Sequence, residues 1–281
     1  MVTAGGNSWY NSLQFGLAKR LSKGIQFQSS YTWSKLLDET QTQQSSDRAG
    51  YRADSVHRHL DKGPAGFDVA HSWRFNTIYR FPQMTPGGAL GKIVNGWWAS
   101  GILSFQSGYP FYVRMSNDRA RTQQGTISAN RPDLVPGRNN ANITSGASTG
   151  CLGVPAGTKI GAPNLYYDPC AFTVPAIGFL GTAGRGILRG PGFANLDLSL
   201  AKDTPLRFLG ETGKLEFRAE FFNILNRVNF GTPGIGGGGG NNAGNVLAGR
   251  ADGERPLASA GIPINTSTTS RQIQFALKIL F

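Results

Sequence analysis

The chain has 281 residues, of which 39% are hydrophobic, 11% aromatic and 39 glycine, with a net charge of +12 and two cysteines. No run of about 18 or more apolar residues occurs and mean hydropathy is −0.25, which excludes ordinary transmembrane helices. Glycine and aromatics at this level fit β-structure with long loops, and the Lys and Arg residues are scattered rather than gathered into one stripe, so no nucleic-acid partner is expected.

The start, Met1-Val-Thr-Ala-Gly-Gly, has neither a basic segment nor an apolar stretch, so an export signal is expected outside this chain. Leu13, Phe15 and Leu17 then alternate with Gln14, Gly16 and Ala18, a period of two that reads as a strand. After the short turn Ser22-Lys-Gly24 comes a second strand, with Ile25, Phe27, Tyr31 and Trp33 opposite Gln26, Gln28, Ser30, Thr32 and Ser34, so the two form a tight hairpin. A polar stretch from about Asp38 to Gly66 leads to a third strand over Val69–Phe81, where Val69, Trp73, Phe75, Tyr79 and Phe81 oppose Ser72, Arg74, Asn76 and Arg80.

Pro82 to Asn95 is a short connection, and Trp97–Gln106 is a fourth strand with Trp97, Ala99, Leu103 and Phe105 on its apolar side, although Trp98 and Ile102 blur the pattern. A loop of some eighty residues runs to about Pro191; such a length inside one domain points to a functional loop. Leu196, Leu198 and Leu200 mark the fifth strand, and Leu215, Phe217, Ala219 and Phe221 the sixth, with a short turn between them. Another long loop, Leu225 to Thr269, precedes the last strand, in which Ile273, Phe275, Leu277, Ile279 and Phe281 occupy every second position and only Leu280 breaks the alternation.

Connections thus run short, long, short, long, short, long. Sandwiches and propellers have no reason to gather every long connection at one end, whereas outer-membrane barrels do, with short turns in the periplasm and long loops outside. Strands of about ten residues are long enough to cross when tilted. The expected fold is all-β: seven antiparallel strands of a transmembrane β-barrel with long extracellular loops, one face against outer-membrane lipid. Unpaired backbone in hydrocarbon costs several kcal/mol per group, so the last strand must pair with another.

In order along the chain, "NSLQFGLAKRLSKGIQFQSSYTWSK", "GPAGFDVAHSWRFN", "GWWASGILSFQSGYPF", "RPDLVPG", "GRGILRGPGFANLDLSLAKD", "RAEFFNILNRVNFG" and "RQIQFALKILF" resemble the C-terminal barrel region of TonB-dependent outer-membrane transporters of the Oar-like type, from about Tyr10 to Phe281. The resemblance implies a barrel of about 22 strands around a plug, with energy delivered through the TonB complex to a segment near the receptor's N-terminus. Residues 1–281 would supply the last seven strands, with plug, TonB-contacting segment and earlier strands absent and Met1 an internal start. It implies active uptake of an unidentified solute across the bacterial outer membrane; a passive porin or an adhesive surface barrel is the alternative. It also implies that the terminal strand, with Phe281 supported by Phe275, Leu277 and Ile279, is read by the barrel assembly machinery.

No enzyme activity, catalytic residue, metal or cofactor is expected. His57 and His59 lie near Asp61 without a fixed third ligand, and Gly236–Gly240 lacks the Lys-Ser/Thr of a phosphate loop and reads as a flexible loop. Cys151 and Cys170 lie far from any metal-ligand spacing; a loop disulfide is the preferred reading over two free thiols. Arg74, Arg80, Glu216, Arg218 and Glu220 sit on the polar side of their strands, where they would line a solute path or grip a plug.

Overall fold

Two-residue alternation along the strands becomes, in the computed structural model, one two-faced sheet. The structure describes residues 6–39, 57–84, 88–122, 130–161, 163–232, 244–263 and 265–281. Among them are seven long strands: β1 (Ser8–Ser22), β2 (Ile25–Asp38), β3 (His71–Arg80), β4 (Trp97–Gln106), β5 (Phe193–Pro205), β6 (Lys214–Phe222) and β7 (Gln272–Leu280). They pair in chain order, each antiparallel to the next, and the two-residue strand Gly63–Pro64 pairs with the end of β2. The sheet is open, with β1 and β7 at its edges.

Several strands outrun the hydrophobic pattern. β1 has 15 residues and β5 has 13, because backbone pairing continues through polar ends such as Asn11, which lies opposite Lys35. The third strand starts at His71, two residues later than alternation suggests, and the Val69 carbonyl instead accepts a bond from Ser34 Oγ at 2.7 Å.

Register makes the two faces continuous. Phe15 lies opposite Tyr31, Tyr31 opposite Trp73, Trp73 opposite Phe105, and on the far side Leu198 opposite Phe221 and Phe221 opposite Ile273. The other face carries Gln28 opposite Asn76, Arg74 opposite Ser104, Ser104 opposite Asn195, and Glu220 opposite Gln274. A one-residue slip anywhere would exchange the faces of every following strand, so side-chain period fixes register strongly here. On the apolar face the polar groups find partners within the face: Trp73 Nε1 donates to Ser29 Oγ at 2.9 Å, and the Tyr31 hydroxyl lies 2.8 Å from His71 Nδ1. That is the condition for placing such side chains in hydrocarbon.

Glycines set the short-turn end. Gly24, with φ of +79°, closes the β1–β2 hairpin and packs so tightly on β3 that a Cβ would come within 2.5 Å of the Arg80 carbonyl oxygen. Gly96, with φ of +83°, accepts the Asp203 N–H at 2.9 Å, and a Cβ there would collide with Asp203 backbone. The connection before it holds a helix, α1 (Gly88–Val94), where the sequence suggested only a short link.

Buried apolar side chains lie almost wholly outside the sheet. Phe111, Val113, Met115, Ile143, Tyr167, Phe172, Leu188, Val246 and Leu247 form one core drawn from the two longest connections. Short pairings hold these loops together: Leu188–Arg189 with Pro110–Phe111, Asp133–Leu134 with Phe172–Thr173, and Asn245–Leu247 parallel to Arg114–Met115. The eighty-residue loop is therefore part of a packed body at the long-loop end of the wall, whose core it shares with the connection between β6 and β7.

Candidate functional site

On the polar face the charged residues gather around β6. Arg218 Nη2 donates to Glu216 Oε1 at 2.6 Å, and its Nη1 lies 3.5 Å from Glu220 Oε1. Residues two apart on one strand share a face, so the arginine sits between its two carboxylates. The adjoining row runs Arg80, Trp98, Ala201, Arg218, each opposite the next across β3 to β6. Ala201 is fully buried, and over this methyl gap the Arg218 guanidinium reaches 5.8 Å from the Trp98 ring centroid. Arg80 starts the same row, three strand spacings or roughly 14 Å from the β6 cluster.

Nearer the short-turn end Asp203 lies opposite Glu216, and Glu216 opposite Lys278. Two adjacent carboxylates would repel; Lys214 Nζ offsets this by donating to Asp203 Oδ2 at 2.9 Å, as Arg218 does at Glu216. Arg74 stands apart, with Nη2 3.5 Å from Gln106 Oε1 and its guanidinium 6.0 Å from the Phe193 ring. Of the five charged residues singled out from the sequence, the structure joins Glu216, Arg218 and Glu220 directly, sets Arg80 in the same cross-strand row opposite Trp98, and leaves Arg74 at the opposite end. Sequence reasoning missed Trp98, Asp203, Lys214 and Lys278 as members of this surface; for Trp98 the parity of β4 alone would have placed it there.

Arginine–aspartate pairs tie the loop body to the end of β2 and to the connection that follows it. Arg185 pairs with Asp38 at the end of β2 and donates to the Asp61 carbonyl at 2.9 Å, burial drawing its pKa down from 12.5 to about 10. Arg189 pairs with Asp68, and Arg131 Nη2 lies 3.5 Å from Asp61 Oδ1, while buried Arg119 pairs with the exposed Asp252 between the two long loops. Tyr112 belongs to the Asp61–Arg131 cluster; burial, reinforced by the Asp61 charge, raises its pKa from 10.0 to about 12. Pairs like these contribute little net stability against apolar replacements, but removing one partner leaves a buried charge.

Asp168 is the polar hub of the body. Fully buried, it accepts from Ser148 Oγ at 2.7 Å and from Cys170 N at 3.1 Å, and pairs with Arg138. Beside it Cys151 and Cys170 are joined by a disulfide. Of the histidines, His71 is bonded to Tyr31, and the His57 and His59 rings meet edge to face at 6.0 Å. The glycine run Gly236–Gly240 falls outside the described residues.

Phe275, Leu277 and Ile279 project from β7 on the apolar face, and Phe281 is the most exposed large apolar residue among those described. Phe275 stacks on Phe217 of β6 at 6.3 Å.

A family model described as an outer membrane beta barrel domain matches residues 1–274. No curated protein and no solved structure is similar enough to match.

Proposed function

We propose that this chain, which belongs to the outer membrane beta barrel domain family and resides in the bacterial outer membrane, serves as part of the wall and outer loops of a TonB-dependent receptor that takes up a solute. The observation that carries the reading is the pairing of a charged polar face with a packed loop body. A passive pore needs a wide, unobstructed mouth, whereas a receptor needs a shaped outer surface. In outer-membrane barrels the short turns face the periplasm and the long loops face outside, which would set the loop body toward the medium and Glu216, Arg218 and Glu220 inside the barrel. The ordered motifs from Tyr10 to Phe281 support the same reading.

On this reading the chain performs no catalysis. Arg80, Trp98 and Arg218 form an amphipathic row against which a plug or a passing solute rests, and Arg74 lies closer to the loops. The terminal strand, with Phe275, Leu277, Ile279 and Phe281, supplies the signal for the assembly machinery, and contact with the TonB complex belongs to polypeptide other than these strands. Conductance of the full-length protein in planar bilayers tests transport mode. The expected result is no steady ion current, together with gene-dependent accumulation of solute in cells that stops when a protonophore collapses the inner-membrane gradient. A steady current insensitive to the gradient would replace the receptor with a passive porin. Neither current nor accumulation, with cell binding lost on deleting residues 140–161, would favour an adhesive barrel.

A further inference from the structure

The connection between β3 and β4 is more than a turn. It carries α1, and two wall residues fix where that helix lies. Trp97 Nε1 donates to the Ile93 carbonyl at 3.0 Å. Lys202 Nζ donates to the carbonyls of Lys92 at 2.7 Å and Asn95 at 2.6 Å, which are the orphan acceptors of the helix C-terminus. Lys202 is opposite Trp97 in the ladder and stands 5.3 Å above its ring. By strand parity both belong to the apolar face, in line with Leu200 and Ala99. The helix is therefore stapled to the outside of the wall, not across the barrel mouth.

It exposes two large apolar residues one turn apart. Leu90 is 63% exposed and Ile93, one turn later, 64%; Met84, whose N–H donates to Asn95 Oδ1 at 2.8 Å, is 70% exposed. They continue the apolar face past its last aromatics, Tyr79 and Phe81, which meet edge to face at 5.1 Å. Exposed Lys92 on the same helix and Lys23 at the tip of the adjoining hairpin add positive charge at this rim. An apolar side toward acyl chains and cations toward headgroups is the arrangement of a helix lying in a bilayer interface.

We infer that α1 with Met84 is an interfacial anchor buried in the leaflet at the short-turn end, its occupant being phospholipid with anionic headgroups. The placement depends on the membrane wall alone and not on transport. The test uses full-length protein in vesicles of phosphatidylethanolamine and phosphatidylglycerol, with a nitroxide on Ile93→Cys and, in case that variant misfolds, on Leu90→Cys. Glu211→Cys, in the exposed turn between β5 and β6, is the aqueous reference. A severalfold higher ratio of oxygen to nickel-chelate accessibility at 93 or 90 than at 211 is expected. A ratio equal to that at 211 would place the helix in water and overturn the inference. Protection from both reagents would overturn it in favour of a protein covering the helix.

Discussion

The wall and the loop body use the same kinds of residue in opposite ways. In the wall Leu13, Phe15, Leu198, Phe275 and Leu277 are exposed, and the charged cluster around Arg218 lies on the opposite face. In the loop body Phe111, Tyr167, Leu188 and Leu247 are buried, and Asp168 and Arg185 are buried with them as bonded groups. An apolar patch as continuous as the wall's face exceeds what a protein surface in water carries; in lipid it is the ordinary solution. The loop body meets water and must exclude it, so it builds a core and pairs its buried arginines with aspartates. Identical amino-acid preferences thus point outward or inward according to the solvent each region meets.

Substitutions should break this contrast in a predictable order. Phe111→Ala leaves a cavity in the loop core and should cost about 4 kcal/mol, read as early protease cleavage of the loops while strand circular dichroism persists. Loss of both signals together would mean that wall and loops unfold as one unit. Next, Leu198→Arg in the middle of the apolar face should cost about 3 kcal/mol in a bilayer, measured by urea unfolding in vesicles, while Gln28→Arg on the polar face should leave the midpoint nearly unchanged.

Removing the disulfide by Cys151→Ser with Cys170→Ser opens a chain separation of 19 residues. It should lower loop stability by up to about 3 kcal/mol, visible as a reduced temperature of loop proteolysis in the variant relative to the oxidised protein. Alkaline titration should act on the loops through Tyr112. The Tyr112 pKa is raised in the fold, from 10.0 to about 12, so the stability it contributes is complete below pH 10 and lost as pH rises to about 12, roughly 3 kcal/mol in all. Tyrosinate absorbance of Tyr112, isolated as the difference from Tyr112→Phe, should appear only near the upper end of that window. The smallest effect is expected from Trp98→Ala, which removes a cation–π contact worth about 0.5 to 1 kcal/mol at an exposed site. A thermal midpoint shift beyond that would mean Trp98 packs the wall as well as holding Arg218.

Strand content was legible because the pleat has a period of two and one face of the wall meets a uniform apolar solvent. Leu13 to Leu17, Ile25 to Trp33 and Ile273 to Phe281 could hardly be read otherwise. Helix α1 was not, since seven residues around Leu90 and Ile93 are too few for a helical period to stand out, and its placement rests on Trp97 and Lys202 from two different strands. Trp98 blurred the reading because a large aromatic on the polar side breaks the alternation of apolar and polar residues, although its parity against Trp97 and Ala99 assigns its face.

What the sequence determined by itself is the wall: its strands, their alternating faces and the placing of every long connection at one end, all carried by local periodicity. What only the tertiary structure decided is the loop body. Phe111, Tyr167 and Val246 come from segments with no repeating pattern, Arg185 meets Asp38 across 147 positions, and Arg218 reaches Trp98 only because Ala201 lies between them. Such contacts follow from how far the chain folds back on itself, and no local spacing records that.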